Sequence, residues 1–82
     1  MDEVTAELRR LNPLAKEMRI AIAANLISDY RAAAENIRAN GTIVLHPRTG
    51  EPIANPYIAI RDRAAKQLLE LRLDCGSMLS HT

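Results

Sequence analysis

Residues Asn40 to Tyr57 read NGTIVLHPRTGEPIANPY. This stretch holds two of the three glycines and three of the four prolines, while the chain on either side is rich in Ala, Leu, Ile and Arg. Two short apolar segments, TIVL and EPIA, flank HPRTG. β-Branched residues on both sides of a loop with Pro and Gly predict a β-hairpin over residues 42–54. Pro52 cannot donate to a ladder, which confines its strand to an edge. A lone two-stranded hairpin is marginal in water, so Ile43, Leu45 and Ile53 need a surface to lie on, either the flanking helices or another subunit.

Both flanks read as helices. Gly41 supplies a residue able to end the preceding helix with positive φ. Asn55-Pro56 opens the following one: Asn caps orphan N–H groups, and proline at the next position lacks only an N–H that had no helical partner. Asn12-Pro13 repeats the signal and predicts a helix over residues 13–40. Within it Met18, Ile22, Leu26, Tyr30, Ala33 and Ile37 form one apolar stripe, and Ile20, Ile27 and Ala34 a second. Together they are too wide for a single partner helix. Ala21, Ala23, Ala24 and Ala32 allow close backbone approach. Upstream, Val4, Leu8 and Leu11 predict a short amphipathic helix within residues 1–12.

The last helix is expected over residues 55–74. Tyr57, Ile60, Ala64, Leu68 and Leu71 form its apolar stripe, flanked by Ile58, Ala65, Leu69 and Arg72. Arg61, Asp62, Arg63, Lys66, Gln67 and Glu70 form its wet side. The tail CGSMLSHT, residues 75–82, has no periodicity and reads as loose. The fold class is therefore mainly α: an antiparallel helix pair with a β-hairpin between the helices, plus a short N-terminal helix, in one small domain.

Composition adds an expectation of oligomerisation. The chain has 82 residues and is 48 % hydrophobic, yet it contains two Tyr and no Phe or Trp. A chain this short buries only roughly 60–65 % of its unfolded surface, and large rings are the main way to improve on that. Close-packed helices meeting across subunits are the expected remedy, with Ile22, Leu26, Tyr30, Ile37, Ile43, Leu45, Ile53, Leu68 and Leu71 as interface candidates.

Several function classes are excluded or disfavoured. The net charge is +1, so bulk charge gives no nucleic-acid footprint. There is no apolar run long enough to cross a membrane, and residues 1–12 carry Asp2, Glu3 and Glu7 where a signal peptide would be apolar. Cys75 is the single cysteine, which excludes an internal disulfide, and no basic residue adjoins it to activate the thiol. His46 and His81 lack companions at metal spacing, and the glycines are too dispersed for a phosphate loop. Neither catalytic residues nor a metal or cofactor site is expected. The DNA-binding candidates are Arg48 at the hairpin tip and Arg61, Arg63 and Lys66 on the last helix. A modest basic strip repeated by symmetry can hold phosphates with strong salt dependence.

The order of these features carries a resemblance. DYRAAAENIRANG, a hairpin with a variable tip, and NPYIAIRDRAAKQLLEL resemble the small terminase subunit of tailed bacteriophages. Tyr30, Ala33, Ile37 and Gly41 match the family's first helix, Asn55 and Pro56 its most recognisable pair, and Ala65, Leu68 and Leu71 the helix that follows. The likeness covers roughly Asn25 to Leu73. It implies a non-enzymatic DNA-packaging protein in the bacterial cytoplasm that forms a homo-oligomeric ring. Such a ring holds double-stranded DNA, here weakly and without sequence preference. It delivers that DNA to a large subunit bearing the ATPase and nuclease. The chain departs from the family pattern in its tail, LRLDCGSMLSHT, and in lacking a helix-turn-helix before residue 40. The alternative is a small helical interaction module, an antitoxin or adaptor, that binds protein and no DNA.

Overall fold

A computed structural model describes residues 2–79. The elements run α1 (Glu3–Leu11), α2 (Glu17–Asn40), β1 (Ile43–Leu45), β2 (Pro52–Ala54) and α3 (Tyr57–Leu71). Helices α2 and α3 pack along each other, α1 lies against α2, and β1 pairs antiparallel with β2. The molecule measures 49 × 22 × 19 Å. Helix α2 supplies about 36 Å of that length at 1.5 Å per residue, and the hairpin has no extended contact with either long helix.

The core gathers Leu8, Ile20, Ala23, Ile27, Leu68 and Met78, with Val4, Leu11, Leu26, Leu71, Leu73 and Leu79 partly buried against it. Ala33 and Ala64 are buried as well, so small residues face inward on both long helices. Of the two stripes on α2, the second has Ile20 and Ile27 buried and Ala34 half-buried. Met18 and Ile22, at the N-terminal end of the other, remain 75 % and 44 % exposed.

Three boundaries differ from the sequence reading, for one connected reason. The long helix starts at Glu17, not at Pro13, and Asn12 does not cap it. The Asn12 side chain instead donates to the carbonyls of Leu8 (2.9 Å) and Asp74 (2.8 Å) and accepts from the Asp74 N–H (2.7 Å). One amide thus closes the end of α1 and pairs with the chain after α3. Helix α3 stops at Leu71, where Arg72 adopts φ 55°, rather than running to Asp74. The segment expected to be loose then folds back: Met78 is buried, and Arg31 donates to its carbonyl at 3.2 Å. Ser80 to Thr82, the rest of the expected tail, lie outside the described residues.

The other local signals hold. Gly41 ends α2 with φ 85° and its N–H bonds Ile37 O at 2.7 Å. Asn55 Oδ1 accepts from the Tyr57 N–H at 3.0 Å, opening α3 as the Asn-Pro pair predicts. Asn55 does more: buried at 2 % exposure, its amide N–H₂ donates to Asn36 Oδ1 (3.0 Å) and Gly41 O (2.9 Å). Its backbone N–H closes the hairpin base on Thr42 O at 2.8 Å. A single side chain therefore ties the end of α2 to the start of α3 beneath the arm.

Candidate assembly and nucleic-acid surfaces

Two kinds of surface stand out, one apolar and one basic. The apolar one is distributed toward both ends of the molecule. Leu14 (97 %), Met18 (75 %) and Leu69 (78 %) are exposed where the start of α2 meets the end of α3. That juxtaposition is fixed by Arg19, which donates to Leu71 O. On the arm Ile43 and Leu45 are 60 % and 68 % exposed, while Val44 and Ile53 on its other face are half-buried.

The sequence candidates for subunit contact divide accordingly. Leu68 is buried in the chain's own core and Leu71 and Leu26 pack against it, so these side chains offer little to a partner. Tyr30, Ile37 and Ile53 are half-buried, and Ile22, Ile43 and Leu45 are exposed. Periodicity missed Leu14, which belongs to the turn before α2, and placed Leu69 only on a flank.

The basic residues sort by whether an anion or carbonyl already holds them. Arg9 pairs with Glu17 at 3.0 Å, Arg10 with Glu7, Arg38 with Glu35, and Arg61 with Asp62 at 3.2 Å. Glu7 keeps its carboxyl below the usual range through the Arg10 hydrogen bond, and Arg10 is raised in return. Among the described residues the side chains of Lys16, Arg48, Arg63, Lys66 and Arg72 have no ion pair or hydrogen bond.

Arg61, Arg63 and Lys66 do not form one strip. Helical geometry sets Arg61 about 160° around the axis from Arg63, and Arg63 about 60° from Lys66. Burial agrees: Arg61 is half-buried beside the packed face, whereas Arg63 and Lys66 are exposed. Glu70 shares the Lys66 face one turn on, which moderates its potential. Arg48 stands apart at the tip of the hairpin. That tip is built by His46, whose Nδ1 accepts from the N–H groups of Arg48 (3.0 Å) and Thr49 (3.3 Å). His46 is thus a turn-former, a role its isolation in sequence did not reveal. Lys16 and Arg72, which have no ion pair among the described residues, are cations that sequence reasoning did not propose for DNA.

Comparison with known families settles what kind of chain carries these surfaces. Residues 2–76 match the family described as phage terminase, small subunit. The chain belongs to that family. Its role is therefore in phage DNA packaging, as a component of a kind that is generally non-catalytic. The family match extends past the stretch that carried the resemblance, taking in α1 and the Asn12–Asp74 link of this small subunit. No curated protein and no solved structure matches it. No described helix of the small subunit is long and apolar enough to cross a membrane.

Proposed function

We propose that this small subunit assembles into a ring, holds double-stranded DNA weakly and without sequence preference, and recruits or regulates the large terminase ATPase and nuclease in the host cytoplasm. The observation that carries the reading is the exposure of Leu14, Met18, Ile22, Ile43, Leu45 and Leu69 in so small a chain. Leu14 and Met18 are exposed at one end and Ile43 and Leu45 share one face of the arm, and exposed apolar side chains gathered in this way mark interaction sites. The hairpin is the arm that reaches a neighbour. Arg63, Lys66 and Arg48 supply the phosphate contacts, with Arg61 contributing less because Asp62 holds it.

The test is native mass by light scattering at low and moderate salt, followed by DNA titration. A single species well above a tetramer supports the ring. Replacing Arg63 and Lys66 with Ala then lowers DNA affinity and flattens its salt dependence by about 0.9 log unit for each phosphate the variant no longer neutralises. A monomer or dimer at both salts, with no DNA binding, favours the adaptor reading instead.

A further inference from the structure

The tip of the arm, HPRTGE at residues 46–51, places all of its backbone donors within itself. The His46 N–H bonds Glu51 O and the Gly50 N–H bonds His46 O, each at 2.8 Å. The Glu51 N–H bonds Thr49 Oγ1 at 3.3 Å, and Pro47 has none to place. The remaining donors, on Arg48 and Thr49, converge on one atom, His46 Nδ1, at 3.0 and 3.3 Å. Adjacent N–H groups aimed at a single point form the kind of concavity that binds anions. Here a neutral imidazole fills it from within. Of the acceptors these donors use, only Nδ1 takes up a proton near neutral pH. An imidazole that accepts at Nδ1 carries its hydrogen on Nε2, and protonation sets a second hydrogen on Nδ1, against both donors. The bonded tip and the imidazolium exclude each other.

We propose that the Arg48 and Thr49 N–H groups are a site for a DNA backbone phosphate, closed by neutral His46 and opened when that imidazole is protonated. This rests on the reading of Arg48 as a phosphate contact. Once the imidazole swings out, both backbone donors stand free beside the Arg48 guanidinium, which has no ion pair among the described residues. The imidazolium adds a second cation. A phosphate oxygen replaces Nδ1 as the shared acceptor, and hydrogen bonds to an ionised acceptor are stronger than the neutral ones they displace. The hairpin has no extended contact with either long helix, so the charged groups beside His46 are those of the tip itself, Arg48 and Glu51. Glu51 favours the imidazolium and opposes the anion. Arg48 favours the anion and opposes the imidazolium until phosphate neutralises it. Proton and phosphate thus reinforce each other, and each raises the affinity for the other by the same factor. Backbone donors read phosphate and no base, which agrees with binding without sequence preference.

The experiment uses the full chain in a His81→Gln background, which leaves His46 as its only histidine. Amide NMR follows the tip against pH. A mixed-sequence DNA duplex is titrated by fluorescence anisotropy, at constant ionic strength, at about pH 5.5 and about pH 8, on either side of the range in which histidine changes charge. The Arg48 and Thr49 amide shifts are expected to move on one curve with the His46 ring. DNA affinity is expected to be about fivefold or more higher at the lower pH. His46→Asn sets a non-titrating oxygen near the place of Nδ1, and is expected to hold both amides and the affinity near their high-pH values throughout, with helix content unchanged. Amides that ignore the His46 titration overturn the gate. So does a His46→Asn protein whose affinity rises in acid as much as the background's. If Arg48→Ala still weakens binding in either case, the tip stands as a DNA contact without the gate. If Arg48→Ala binds DNA as tightly as the background at both pH values, or no DNA binds at either, the DNA reading of the tip falls and the gate with it.

Discussion

Replacing Asn55 tests how the arm is anchored. The side chain is 2 % exposed and makes three hydrogen bonds, one as cap acceptor and two as donor. In Asn55→Ala the missing cap costs about 1 kcal/mol. Asn36 Oδ1 and Gly41 O also lose their donor. A buried unpaired acceptor costs about 1–3 kcal/mol, and partial access to water at Asn36 and Gly41 places this pair toward the lower end. The expected total is about 2–4 kcal/mol, a fall of roughly 10–25 °C in Tm for a chain of this size. Thermal unfolding followed by circular dichroism at matched protein concentration measures it.

Asn55→Asp separates the two functions of the side chain. It keeps the oxygen that caps Tyr57 and removes both donors, turning a carboxylate oxygen toward Gly41 O. Burial and facing acceptors raise the folded-state pKa of the introduced carboxyl above its unfolded value. The resulting penalty is full above the folded pKa and vanishes below the unfolded one, about 3.9. The variant is therefore well below wild type at pH 7 and regains ground, relative to wild type at equal pH, on acidification. Wild-type stability at pH 7, or no relative recovery in acid, refutes the claim that donation by Asn55 anchors the arm.

Three further outcomes follow from the packing of the ends. Asn12→Ala removes the amide that joins α1 to Asp74. It is expected to cost about 1–2 kcal/mol and to accelerate hydrogen exchange in α1 and residues 72–79 more than in α3. The same variant exposes Cys75, whose thiol is pushed up by burial and then by Asp74; alkylation near pH 8, slow in wild type, becomes faster. Met78→Ala deletes a buried core side chain and is expected to cost about 2 kcal/mol or more in urea unfolding. Finally, the Thr5 N–H holds the Asp2 carboxyl below its ordinary range. The cap is fully present above the ordinary aspartate pKa and is lost as pH falls through the lowered one, so Thr5 amide exchange measured against pH should show α1 fraying only in acid.

The pattern of elements was legible because its signals are local. Gly41 ends a helix through its own φ, Asn55 and Pro56 start one within a turn, and the Pro- and Gly-bearing loop between TIVL and EPIA reverses the chain. The basic candidates were partly legible as well: Arg63 and Lys66 are exposed as expected of a wet helical face, and Arg48 sits at a turn. Periodicity states where a residue lies around its own helix, and it says nothing about which direction another element will cover. That is why Met18 and Ile20 looked alike in sequence, although the fold exposes one and buries the other. Arg61 and Arg63, by contrast, were separable in the sequence itself, because helical geometry already sets them about 160° apart.

The sequence by itself determined the helix–hairpin–helix order, since the signals at Gly41 and at Asn55-Pro56 depend on residues within a few positions of them. Tertiary structure decided the rest. Asn12 meets Asp74 across 62 residues of sequence, and its side chain, able to serve only one end, closes α1 instead of opening α2. Met78 is apolar with no repeating neighbours, and only the space between α1 and α2 makes it core. Contacts between distant segments are set by the shape left open when local elements pack, and that shape belongs to no single stretch of the chain.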